Sequence, residues 1–87
     1  NSDTFISINS DSLRSQYPDQ TTAIGYLEAA RAEMIDACVC GINIYFYGQM
    51  GYTRATLTRR VAEEREKIDE HIENARQFLQ RAQDSIN

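Results

Sequence analysis

The sequence predicts an all-α fold: an antiparallel hairpin of two long helices behind an N-terminal arm or short helix, oligomerising as a helical bundle. Three observations predict it. Residues 53–86 carry an apolar heptad seam with no Gly or Pro inside it. Residues 19–48 carry a second apolar pattern of nearly the same length. The link between them, Gly48 to Tyr52, is short enough to join antiparallel neighbours.

The second helix, 53–86, is the more regular. Val61, Ile68, Ile72, Ala75, Leu79, Ala82 and Ile86 alternate four- and three-residue steps, with Arg65 filling the one polar step. That spacing belongs to a helix packed lengthwise on another helix. Glu, Arg, Gln, Ala and Leu, which fill most of it, are all good helix formers. At 1.5 Å per residue the helix runs for about 50 Å. Its outer face offers four opposite-charge pairs at i,i+4: Arg59–Glu63, Arg60–Glu64, Glu63–Lys67 and Arg65–Asp69. Each such pair contributes about 0.2–0.5 kcal/mol, which describes a solvated surface.

The first helix, 19–48, begins after Pro18, with Asp19 or Thr21 able to cap it. Ile24, Leu27, Met34, Cys38 and Tyr45 keep near-heptad spacing, and Ile35, Val39, Ile42 and Phe46 widen the apolar face. A face that wide can meet more than one neighbour. Glu28, Glu33, Asp36 and Asn43 fall on the opposite side. Paired antiparallel, Tyr45 meets Leu57, Ile42 meets Val61, Met34 and Ile35 meet Ile68, and Leu27 meets Ala75. The alternative is an α+β fold with short strands at 4–8 and 42–47. The run Ile42 to Tyr47, bracketed by Gly41 and Gly48, is rich in β-branched and aromatic residues, and Phe5 to Ile8 could pair with it. Length favours the helix, because 19–48 then nearly matches its partner.

Residues 1–17 are polar around Phe5, Ile6 and Ile8, with Leu13 and Tyr17 on one or two helical turns that Ser10 or Asp11 could cap. This segment is too poor in apolar residues for a core of its own and reads as an arm lying on the helices or on a neighbouring subunit. The whole, 1–87, is one domain.

Eighty-seven residues bury a limited share of their surface, and a rod buries less than a sphere, so a second copy or a partner protein is expected to complete the core. With 13 acidic and 9 basic residues the net charge is −4, which argues against non-specific nucleic-acid binding. No apolar run approaches the roughly 20 residues of a membrane span. Cys38 and Cys40, two apart on a helix, point to different sides and are expected to be reduced thiols. Together with the absence of a signal-peptide pattern, that sets the expectation of a cytoplasmic protein.

Chemistry is sparse. Glu66, Glu70, Glu73 and His71 lie close along the second helix, but the residue three before His71 is Ile68, so the Glu-x-x-His step of di-iron bundles is missing. No metal and no cofactor is expected. No nucleophile motif, phosphate loop or dinucleotide fingerprint occurs, and no enzyme is expected.

Two binding surfaces compete for the function. The first is an apolar protein-binding surface of Ile35, Val39, Ile42, Phe46 and Tyr52, suited to a non-enzymatic interaction module such as an adaptor, chaperone or inhibitor working as a homo-oligomer. The second lies where the second helix begins. Arg54, Arg59 and Arg60 stand there with no acidic residue in 51–62, beside Thr53 and Tyr47. Helix N-termini already favour anions, so arginines, free N–H groups and flat rings there would suit a phosphate-bearing small molecule such as a nucleotide, held between subunits.

Overall fold

A computed structural model describes residues 10–86, and within them the chain is an all-α hairpin. The elements are α1 (Ser10–Gln16), a 3-10 turn (Pro18–Gln20), α2 (Thr21–Tyr47) and α3 (Arg54–Ile86). Phe5, Ile6, Ile8 and the alternative strand at 4–8 lie outside the described residues. The alternative strand at 42–47 is overturned: this run is the last part of α2. The hydrogen bonds of a 27-residue helix continue through it, and a lone strand would have no partner among the described residues.

Each boundary has a local cause. Tyr17 leaves the helical region, at φ −130° and ψ 66°, because it precedes Pro18. Its N–H still closes α1 on the Leu13 carbonyl at 2.8 Å. Thr21 Oγ1 donates to the Pro18 carbonyl at 2.9 Å and ties the 3-10 turn to α2. The loop after Tyr47 turns at Gly51, whose φ of +71° is sterically open to glycine and costly to other residues. Thr53 then caps α3: its Oγ1 accepts the Thr56 N–H at 3.3 Å, and its carbonyl accepts the Leu57 N–H at 2.9 Å.

The helices pack in one layer. The molecule measures 54 × 26 × 14 Å, with a radius of gyration of 16.9 Å, where a globular chain of this length would have about 12 Å. No helix among the described residues is long and apolar enough to cross a membrane.

The antiparallel register lies within two residues of the one the spacing predicts. Tyr26 stacks near Phe78, Glu33 meets His71, and Cys40 meets Glu64. The rotation of α2 about its axis is different. Its covered stripe contains Ala23, Ala30, Ala37 and Cys40, all buried, with half-buried Tyr26, Glu33, Ile44 and Tyr47 at the same three- and four-residue steps. Leu27, Met34, Cys38 and Tyr45, the seam expected from hydrophobicity, face outward. Small side chains explain the choice, since alanines let two helix backbones approach closely and gain dispersion along their whole length. On α3 the Val61, Ile68, Ala75 and Ala82 positions do face the partner. The alternate step falls on Leu57, Glu64, His71 and Phe78 instead of Arg65, Ile72, Leu79 and Ile86. The result is a hairpin whose inner seam mixes alanines and polar groups with a few aliphatic residues, while Leu27, Met34, Ile35, Val39, Ile42 and Leu79 stay outside.

Candidate functional site

Three features arise from this rotation, and each gathers residues that the linear sequence keeps apart.

The first is an apolar face. Leu27, Met34, Ile35, Val39, Ile42 and Phe46 of α2 are each roughly half exposed along one side of the hairpin. With Leu79 of α3 and Leu13 of α1, all of these but Phe46 line an open groove of ≈ 730 Å³. Ile24 is buried at its α1 end. Arg14 pairs with Glu28 there and fastens α1 to α2. That guanidinium hydrogen bond holds the Glu28 carboxyl below its ordinary pKa. Of the five residues expected to bind a partner, Ile35, Val39, Ile42 and Phe46 share this face. Tyr52 does not: it lies at the tip of the hairpin, its ring edge-on to Tyr47 at 6.1 Å.

The second feature is that tip. The Arg60 guanidinium sits 4.7 Å from the Tyr52 ring centre and 5.6 Å from that of Tyr47, in cation–π contact with both. One turn on, Glu64 is 4 % exposed. Its Oε1 accepts from Tyr47 Oη and from Lys67 Nζ, both at 3.4 Å, while its Oε2 and Arg60 Nε are buried without a hydrogen-bond partner. Burial pushes the Glu64 pKa up, but the Cys40 thiol, Lys67 and Asn43 together outweigh it and hold the carboxyl below its ordinary value. Burial and the same carboxylate raise the Cys40 pKa, so it stays a thiol at neutral pH.

This arrangement divides the expected anion site. Arg54, Arg59 and Thr53 are exposed, Thr53 is engaged as the cap of α3, and Tyr47 and Arg60 are packed on each other beside a buried carboxylate. The expected pairing of Arg60 with Glu64 gives way to ring contacts for Arg60. Lys67 pairs with Glu64 instead of Glu63.

The third feature was hidden in the sequence because its parts lie on different helices. His71 Nδ1 and Glu33 Oε2 are 2.6 Å apart across the seam. Glu33 therefore lies in the interface, not on the opposite face of α2 as its spacing predicts. With Asp36 they form a group whose potential ligand atoms all lie within 4.8 Å of one another, so this trio could hold a cation. The sequence signal for it is His71 itself, the single histidine of the chain, while both carboxylates lie on the other helix.

The Glu33 hydrogen bond raises the His71 pKa above its ordinary 6.5, against a smaller opposing push from burial. A raised pKa means that the protonated imidazole favours the folded chain. This contribution is whole below about pH 6.5 and is lost as pH climbs through the raised value. Urea midpoints, measured with EDTA present, are therefore expected to fall between pH 6 and pH 8. His71→Gln should flatten that slope, and an unchanged slope in the variant would assign it to other groups.

Comparison with known proteins finds no matching family, no curated relative and no solved structure of significant similarity.

Proposed function

We propose that the protein is a non-enzymatic helical interaction module that works as a homo-oligomer, with a second copy covering the open face of α2. One observation carries this reading. A continuous strip of large apolar side chains runs down one side of a helix whose other side is already packed. Strips of this kind mark association surfaces on small soluble proteins. The occupant is taken to be another copy because the strip keeps the spacing of a helix–helix seam. Leu27, Met34, Cys38 and Tyr45 alternate in near-heptad steps, and Leu79 and Ile72 of α3 extend the exposed apolar surface. Two such hairpins, face to face, make a four-helix bundle. The open strip is also larger in side-chain volume than the alanine seam it backs, as expected of an interface that carries much of the burial. The rest of the chain supports a binding role over a catalytic one: its single histidine is tied to Glu33, and Cys40 is held as a thiol. Two reduced cysteines fit a cytoplasmic setting.

Light scattering after size exclusion, under reducing conditions, tests the reading. The wild-type chain is expected to elute as a dimer or larger, and Ile35→Asp with Ile42→Asp as a monomer of unchanged helicity. Each aspartate would place a charge in a dry interface, a cost of several kcal/mol that no partner charge offsets. A wild-type monomer at about 100 μM, weaker than a dissociation free energy of roughly 5–6 kcal/mol, would overturn it.

A further inference from the structure

We propose that Glu33, Asp36 and His71 form a divalent transition-metal site that bridges α2 and α3, with zinc as the ion it takes best. The donors come from both helices. Glu33 and Asp36 stand one turn apart on α2, and His71 reaches across from α3. The cluster is more than a run of surface acids: it contains an imidazole, held in the seam with its Nδ1 already 2.6 Å from a carboxylate oxygen. Both side chains are mostly covered, at 27 % exposed for His71 and 22 % for Glu33, so their positions are fixed by packing.

The geometry needs only a small adjustment. Zinc binds imidazole nitrogen and carboxylate oxygen at about 2.0–2.2 Å, which sets two donors at a tetrahedral angle about 3.3 Å apart. Glu33 and His71 must therefore separate by less than about 1 Å, which a side-chain torsion supplies without moving a helix. Asp36, exposed at the rim, can swing toward the same point. A mixed nitrogen and oxygen set favours zinc and its neighbours over magnesium or calcium, which want oxygen alone.

Charge favours the ion as well. Two carboxylates meet one imidazole, Glu70 adds further negative potential at His71, and the nearby Lys67 is paired with Glu64. A metal would take the place of the proton that His71 shares with Glu33: the imidazolium loses H⁺ to water, the freed nitrogen lone pair binds the metal, and a carboxylate oxygen binds beside it. Three protein donors leave a fourth position for water. None of the three lines the apolar groove, so the site does not depend on how that face is covered. Its effect would be to pin the two helices together near mid-length.

The test uses the full chain, stripped with EDTA and kept reduced with a phosphine. Zinc chloride is expected to raise Tm, the rise growing with the logarithm of zinc concentration, because only the folded hairpin assembles the three donors. Cobalt(II) chloride should give weak visible bands at one equivalent, without the intense near-ultraviolet absorption of thiolate ligation. His71→Gln, which can still hydrogen-bond Glu33, and Asp36→Asn, at an exposed position, should each abolish or sharply weaken the shift while keeping helix content. Cys38→Ser with Cys40→Ser should keep it. A zinc shift that survives in both His71→Gln and Asp36→Asn, one lost with the cysteines, or no shift at all would each overturn the site.

Discussion

Ala37→Leu is expected to destabilise the hairpin more than any truncation on its open face. Ala37 is 8 % exposed in the seam between α2 and α3, where buried alanines set how closely the two helices approach. It does not line the open groove, so three extra carbons there have no cavity to enter. They must push the helices apart or adopt strained rotamers, at about 1–3 kcal/mol and occasionally more. A chain that lies in one helical layer has little stability in reserve. At roughly 4–8 °C per kcal/mol for a domain of this size, the expected fall in Tm is on the order of 10 °C or more. Leu27, on the hydrophobic repeat that reads as the core, is 42 % exposed. Leu27→Ala in the monomeric Ile35→Asp, Ile42→Asp background should therefore cost less than about 1 kcal/mol, since only part of its surface leaves water on folding. Thermal melts followed by circular dichroism compare the two directly. A larger loss from Leu27→Ala would mean that the repeat of large residues, not the alanine stripe, faces α3.

The opposite sign is expected at Glu64. Glu64→Leu should stabilise the hairpin, by about 1–3 kcal/mol, because well-packed apolar residues often outperform a buried ion pair of similar volume. The particular partners favour this outcome. Lys67 is 58 % exposed along its side chain and returns to water when its carboxylate is removed. The Tyr47 hydroxyl is half-buried, with a long 3.4 Å bond to lose. The Cys40 thiol behaves as a small hydrophobe. What disappears is a carboxylate with one oxygen lacking any hydrogen-bond partner. Acid acts on the same group with the opposite sign, because a protonated Glu64 stays buried with weakened contacts whereas leucine packs in its place. The Glu64 pKa is held below its ordinary value of 4.5, so its ionised form supports the fold above that pH and the support is lost as pH falls through the lowered value. The leucine variant should consequently lose part of the acid sensitivity, with Glu28 supplying some of what remains. A loss of stability in Glu64→Leu, in urea at pH 7, would show that the Cys40–Glu64–Lys67 contacts are worth more than the apolar packing that leucine gains.

The sequence carries the hairpin, its register and most of the solvent-facing charges of α3, Glu64 and Arg60 excepted, because helix period, length and loop shortness are local properties. It conceals the rotation of α2, for a physical reason. Two stripes on that helix both step by three and four. Large aliphatic residues advertise one of them, and the other contains Ala23, Ala30, Ala37, Cys40 and a glutamate. Burial by hydrophobicity selects the first, while close approach of two backbones selects the second. The polar seam residues were concealed by the same reasoning. Glu33, Glu64 and His71 look like surface groups until their cross-helix partners are in place. Ile35, Val39, Ile42 and Phe46 are legible as a common surface because they lie on one helix, whereas Tyr52 is linked to them only by nearness in the chain and packs at the hairpin tip against Tyr47 and Arg60.

The two cysteines turn this rotation into a chemical readout. Cys38 lies on the open face and Cys40, two residues later, inside the hairpin. In the proposed dimer, a thiol reagent that reaches Cys38 samples dissociation of the copy over that face, and its rate follows protein concentration. A reagent that reaches Cys40 has to wait for α2 and α3 to part, and its rate follows the internal stability of a single chain. One labelling time course, read residue by residue, would thus separate the assembly of the protein from its folding without a single substitution.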